Sequence, residues 1–238
     1  MLDRPLPDFY WSTLLKQKVI LFDINETVLS LQSLRPKFES AFGDKRLTDT
    51  WFAMLLHTST VSMVTEVKTD FATLAKISLE TLASRLNVKL SNETTADILA
   101  GFASLSPHAD VKPALLKLRA ANFQTVALSN SSLSLVTRQI ENAGLKDYFD
   151  ELISVEEAGT FKPSPQAYEL ASRRLGKSYN ELRLVAAHDW DTHGALCAGL
   201  SAAYIDRSGA LYNPLYKKPE IYASTMLEVV EQIILIDE

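Results

Sequence analysis

A doubly wound, mostly parallel α/β sheet, interrupted by one all-helical insertion, is what these 238 residues lead one to expect. Short apolar runs without polar alternation, such as Val19–Phe22, read as strands buried on both faces of a parallel sheet. From Val111 onward such runs alternate with single amphipathic helices, the order that winds a parallel sheet with helices on both faces. Residues 31–105, by contrast, carry helical periodicity and no strand pattern, so they read as a helical subdomain inserted after the first strand.

Taken in order, residues 1–17 read as an N-terminal extension whose Phe9, Tyr10, Trp11, Leu14 and Leu15 would pack on the main domain. The first strand belongs to residues 18–30, KVILFDINETVLS. It ends at Asp23, an acid placed where a central strand opens into a loop with Asn25, Glu26 and Thr27. That is the carboxyl edge at which open α/β sheets carry their chemistry, so Asp23 is the candidate nucleophile. The competing reading is an Asx-type turn made by Asp23 and Asn25.

Within the insertion Leu34, Phe38, Ala41 and Phe42 share one helical face. Trp51, Met54 and Leu55 begin a second that continues through Val61, Val64 and Val67. Phe71, Leu74, Ala75, Leu79, Leu82 and Leu86 form the next, and Thr94 to Phe102 adds a short helix. Thr58, Ser59, Thr60 and Ser62, set among apolar residues, suit a pocket wall. The α/β alternation then gives a helix at 114–121, a strand at 124–128 and a helix at 133–143 stopped by Gly144. A strand at 152–155, a helix at 166–175 ended by Gly176, a strand at 183–187, a helix at 194–198 and a last core strand at 202–205 follow. The division is a core of residues 1–30 and 106–238 with the helical subdomain at 31–105.

Composition narrows the function. The formal net charge is −5 and no Lys/Arg cluster stands out, which argues against a nucleic-acid partner. Cys197 is the only cysteine, so no intramolecular disulfide is available, as suits a reducing compartment. The first residues have an early acid and two prolines rather than a signal-peptide core. No stretch reaches the ~20 apolar residues that span a bilayer. The expectation is a cytoplasmic protein acting on a small molecule, with no membrane partner.

Three further features follow Asp23 in order: a strand ending in Ser129 and Asn130, a lysine in the loop Thr160-Phe161-Lys162-Pro163, and a strand running into Asp189-Trp190-Asp191. With these the chain resembles the haloacid dehalogenase superfamily over residues 19–207. That superfamily has a nucleophilic Asp, a Ser/Thr, a Lys and a terminal acid in this sequence. The resemblance implies a Rossmann-like core, a helical cap at 31–105 that closes over the catalytic loop, and a possible homodimer. A lid of this kind excludes water and strengthens the electrostatics around a nucleophile.

A carboxylate nucleophile serves two reactions in that superfamily, phosphoryl transfer and carbon–halogen hydrolysis. Its phosphatases carry a second Asp two positions after the nucleophile as general acid, and this chain has Asn25 there. An amide cannot donate and recover a proton at neutral pH, and a departing halide does not need one. Its phosphatases also hold Mg²⁺ with an acid at the position of Ala187, whose methyl offers no oxygen to a hard cation. Both departures point to the metal-independent, cofactor-free L-2-haloacid dehalogenase branch.

The branch is further matched at Thr27, at Leu128-Ser129-Asn130, at Lys162-Pro163 followed by Tyr168, and at Trp190-Asp191. By this resemblance Ser129 and Asn130 would hold the substrate carboxylate, with Asn25, Tyr168, Phe52 and His188 also at the substrate. Lys162 would orient Asp23, Thr27 would hydrogen-bond it, and Asp191 would position or activate the water. Where the branch has an aromatic residue and Gly after the nucleophile, this chain has Asn25 and Glu26. Where it has Ser and Asn in the fourth motif, Ala186 and His188 stand here. The cap arginine that receives the halide should follow Trp51, and Phe52 takes its place, a neutral ring for a charged fork. His57, His188 and Arg35 are the candidates to compensate; His108 and His193 fit turns or helix ends. The alternatives are a phosphatase on the same fold and a binding protein that has lost catalysis.

Overall fold

The structure, a computed structural model, describes residues 19–237; the expected extension at 1–17 lies outside the described residues. Strand β1 (Val19–Phe22) is buried at every position, because it has a parallel neighbour on each side and helices above and below. The neighbours are β4 (Gln124–Ser129) and β6 (Leu182–Ala186). The sheet is completed by β5 (Glu151–Ser154), β7 (Ser201–Ile205) and β8 (Ile221–Ala223), in the order β5-β4-β1-β6-β7-β8, with every pairing parallel. After β1 the chain winds outward through β4 and β5, then returns to the other side of β1 for β6. The switch point therefore lies between β1 and β6, where open α/β sheets form their ligand crevice.

Register brings the chemistry to one level. Phe22 pairs with Ala127 on one side and Val185 on the other. Ser129 is the last residue of β4, and Asp23, Asn130 and Ala187, just beyond their strands, leave the sheet with it at the carboxyl edge. Helices α5 (Val111–Ala120), α6 (Leu133–Asn142), α7 (Pro165–Leu175), α8 (Asp189–Ala198) and α9 (Met226–Asp237) are the connections and the C-terminal cover.

The insertion consists of α1 (Arg35–Phe42), α2 (Leu47–Val64), α3 (Phe71–Arg85) and α4 (Asn92–Phe102). Its entering and leaving strands, β2 (Leu29–Ser30) and β3 (Ser106–Pro107), form a two-stranded antiparallel ladder, so both connections run through one short neck. An aromatic cluster closes its interior, with Trp51 set edge-on to Phe102 at 5.5 Å and Phe38 5.5 Å from Trp51. Trp51 also donates from Nε1 to the Ala75 carbonyl at 3.0 Å, tying α2 to α3.

Several elements differ from expectation. The buried stripe of α2 runs Thr48, Trp51, Phe52, Leu55, Ser59 and Ser62, whereas Val61, Val64 and Val67 are 45%, 71% and 56% exposed. A valine every third residue drifts off the face that a 3.6-residue helix keeps buried, and the last turn of α2 turns serines, not valines, toward its neighbours. Leu86, at the end of α3, is likewise exposed. Thr58, Ser59 and Thr60 return their hydroxyls to carbonyls of α2 itself, at Met54 and Leu56, while Ser59 and Thr60 line one cleft and Ser62 another, in keeping with a pocket wall. The last core strand is β8 rather than the strand at 202–205. Among the described residues no helix is long and apolar enough to cross a membrane.

Candidate active site

Asp23 sits one residue past β1, where its backbone N–H still donates to the Val185 carbonyl at 3.0 Å. Its carboxylate is nearly inaccessible, and each oxygen accepts one hydrogen bond. Lys162 Nζ donates to Oδ1 at 2.8 Å and Thr27 Oγ1 donates to Oδ2 at 2.7 Å. Thr27 is itself held by the Ala187 backbone N–H at 2.8 Å, so the loops after β1 and β6 brace each other across the switch point. Lys162 is 1% exposed and also donates to Asp191 Oδ2 at 2.6 Å, bridging the two carboxylates. Its own loop is fixed where the Lys162 N–H donates to Asn130 Oδ1 at 2.9 Å. Asp191 lies in the first turn of α8, and its Oδ1 accepts from the Tyr168 hydroxyl at 2.7 Å.

This arrangement separates the two acids. Burial alone would raise the Asp23 carboxyl, but the Lys162 charge beside it, with His188, overcomes that and holds it far below the carboxylate range. Burial pushes Asp191 up, and Lys162 offsets only part of the rise. Burial would lower the Lys162 ammonium, yet its two carboxylate partners keep it above the ordinary lysine value. Asp23 is thus a permanently ionised group, and Asp191 is a carboxylate with added affinity for a proton. A pair of acids pushed apart in this way marks two different catalytic tasks.

In front of Asp23 is a chamber of about 10 Å³, close to the least space that admits one water molecule. Its apolar wall is Phe52, Leu56, Phe71 and Trp190, and its polar part is Asp23, Asn25, Asn130 and His188. Leu56 and Trp190 also line a neighbouring cleft of about 280 Å³ with His57 and Tyr216, so these two side chains are the partition between chamber and cleft. A larger cavity of about 600 Å³, between the end of α2 and the loop before α7, is lined by groups such as Lys68, Asp70 and Glu156; Asp23 is not part of its lining.

Of the residues expected at the site, Asp23, Thr27, Lys162, Asp191 and Tyr168 form one hydrogen-bonded group. Asn25, Phe52, Asn130 and His188 line the chamber. Ser129 and Tyr168, expected at the substrate, are not part of the closed chamber's lining. The Ser129 hydroxyl accepts from the Ser131 N–H at 3.1 Å, and the Tyr168 hydroxyl is on Asp191. Asn25 Nδ2 donates to Ser131 Oγ at 3.4 Å, while its Oδ1 accepts from Gln139 Nε2 at 3.1 Å. Among the described residues no group of three or more His, Cys, Asp or Glu side chains is arranged to hold a metal ion.

Two supports were missed by sequence reasoning. Gln139 is a buried amide on α6 that also donates to the Phe102 carbonyl at 2.8 Å, joining α4 to the catalytic loop. Its signal is a polar residue on the apolar stripe of Leu135, Val136 and Ile140. Glu26 has φ of 65°, and its carboxylate accepts from the Leu31 N–H at 2.6 Å. A side chain in the left-handed region is strained, and this bond helps hold the turn.

Residues 17–199 match the family model described as haloacid dehalogenase-like hydrolase. An (S)-2-haloacid dehalogenase 2 from Pseudomonas sp. (strain CBS-3) is 27% identical over 212 residues, 88% of this chain and 93% of the relative. A haloacetate dehalogenase H-2 from Moraxella sp. (strain B) is 33% identical over 129 residues, 54% of this chain and 58% of the relative. The solved structure of L-2-haloacid dehalogenase from Xanthobacter autotrophicus superposes with a TM-score of 0.84 at 24% identity, covering 91% of this chain and 98% of that one.

Proposed function

Since the chain belongs to the haloacid dehalogenase-like hydrolases, we propose that it hydrolyses the carbon–halogen bond of a small 2-haloalkanoic acid through an ester on Asp23. The Asp23 carboxylate attacks C2, a C–O bond forms, and the halide leaves with the electron pair of the broken C–X bond. Water then adds to the carbonyl carbon of the Asp23 ester and gives a proton to Asp191. Collapse breaks the bond to the alkoxide oxygen, which takes the proton of the newly formed Asp23 carboxyl to give the 2-hydroxy acid and restore the carboxylate, and Asp191 then releases its proton to solvent. The net change is haloacid plus water giving hydroxyacid, halide and a proton. One difficult substitution becomes two easier ones.

The observation that carries this reading is the Lys162 ammonium set between Asp23 and Asp191 at 2.8 and 2.6 Å. It keeps Asp23 ionised without a divalent cation and leaves Asp191 as the group that gains from taking a proton. Asn25, whose amide is held by Ser131 and Gln139, supplies no proton to a phosphate leaving group, and Ala187 supplies no oxygen to a metal. The relatives named as haloacid and haloacetate dehalogenases support the same substrate class. Helices α1–α4 act as a lid, and Leu56 and Trp190 part to admit substrate from the adjoining cleft. The exposed free thiol of Cys197 suits a reducing, cytoplasmic location.

The test is halide release from chloro-, bromo- and fluoroacetate and from each 2-chloropropionate enantiomer, alongside p-nitrophenyl phosphate with and without Mg²⁺. Halide release that EDTA leaves unchanged is expected. Robust Mg²⁺-dependent phosphate release with no halide from any haloacid would overturn the reading in favour of a phosphatase.

A further inference from the structure

Resting on the dehalogenase reading, we propose that His188, as an imidazolium, is the cation that receives the anion in this chamber. The anion is the substrate carboxylate or the halide departing from C2.

The need for such a group follows from the charges around the chamber. Asp23 and Asp191 bring two negative charges, and Lys162 brings one positive charge already spent between them. Lys162 is not part of the chamber lining. An anionic substrate entering a site with surplus negative charge and little water is repelled strongly. Among the described residues lining the chamber, His188 alone can carry positive charge.

Geometry separates it from the other candidates. Arg35 is bound to Asp49 at 3.1 Å on a partly exposed face of the insertion, and His57 is exposed and lines the cleft beyond Leu56. His188 instead stands 3.3 Å from Asp23 Oδ2 through Nδ1. Its ring stacks on Trp190 at 5.2 Å and tilts against Phe52 at 6.0 Å, so two aromatic walls fix its plane. Nδ1 is buried and has no partner in hydrogen-bond geometry, only the charge contact with Asp23.

The groups facing the ring decide its charge. Asp23 from the β1 loop, Asp191 on α8 and Glu26 favour the imidazolium. Lys162 and the amino end of α8, which His188 caps, oppose it; Phe52 from α2 is neutral. Burial would depress the ring, but the contact with Asp23 outweighs it and lifts His188 above its ordinary 6.5. Asp23 stays ionised to far lower pH, so any fall on the acid side belongs to Asp191, whose carboxyl burial pushes up, and the fall as pH rises through the raised value belongs to His188.

Two measurements test this. In the first, the His188 imidazole is titrated by NMR in wild type and in Asp23→Asn, alone and with acetate or bromide. Titration above 6.5 in wild type, a drop in Asp23→Asn and an upward shift with anion are expected. A shift with acetate assigns the substrate carboxylate, and a shift with bromide assigns the halide. In the second, kcat/KM for halide release is followed against pH in wild type, His188→Asn and His188→Gln. Both variants should lose about tenfold or more at neutral pH and lose the alkaline fall.

Titration below the ordinary value, no response to either anion, or a variant matching wild type at every pH would overturn the proposal. The NMR arm needs no turnover. A wild type that releases no halide therefore sinks the dehalogenase reading, while anion binding at His188 is judged separately.

Discussion

Replacing Lys162 by Met removes the ammonium and keeps most of the volume. In wild type this group makes ion pairs of 2.8 and 2.6 Å with two carboxylates while only 1% exposed. Truncating one partner of a buried pair costs about 3–5 kcal/mol, because the survivor is left charged and unpaired. Here two survivors share one pocket, which places the loss near the upper end at pH 8. The variant escapes part of it by holding a proton on one carboxyl, whose folded pKa then rises above its unfolded value. The folded state binds more protons than the unfolded state in that window, so stability falls as pH rises and returns as pH falls. Each unit below the raised pKa recovers about 1.4 kcal/mol. Urea denaturation of both proteins between pH 5 and 8 reads the difference. A deficit of about 4–5 kcal/mol at pH 8 that shrinks steadily toward pH 5 is expected. A deficit under about 1 kcal/mol, or one that does not change with pH, would refute the idea that Lys162 is the neutralising centre.

Two other substitutions probe the supports. Gln139→Leu leaves the Phe102 carbonyl and Asn25 Oδ1 without their donor, and it also removes the unpaired Gln139 Oε1. A net loss of about 1–3 kcal/mol in urea denaturation is expected, and wild-type stability would show that this tie carries nothing. Gly194→Ala puts a methyl 2.5 Å from Pro163 Cβ and 2.6 Å from the Tyr168 hydroxyl. About 1–3 kcal/mol of destabilisation with a fall in kcat larger than any rise in KM is expected, as Tyr168 is pushed off Asp191; unchanged kcat would separate Tyr168 from catalysis.

The sheet was legible wherever burial leaves a mark in sequence. Val19–Phe22 is apolar at each position because each position is covered, and Asp23 announces where coverage ends. Asp23 was readable as an acid just past a strand end, whereas Thr27, Lys162 and Asp191 were placed with it by the resemblance to the superfamily's motif order. Strand β8 was not readable. It is three residues long with Tyr222 exposed, so it carries neither an apolar run nor a full alternation. The valines at the end of α2 misled because apolar side chains suggest burial by type, while their spacing of three carries them off the covered face. Gln139 and Ser131 act through tertiary contacts with Asn25, which no local pattern encodes.

Oxygen tracing follows the bond to carbon directly. With enzyme in excess over 2-chloropropionate or chloroacetate in H₂¹⁸O, a single turnover passes the Asp23 oxygen to the product and water replaces it on the protein. The account predicts hydroxyacid free of ¹⁸O and a peptide containing Asp23 that carries the heavy label. Heavy oxygen in the product with none in that peptide would mean that water, not Asp23, attacks C2.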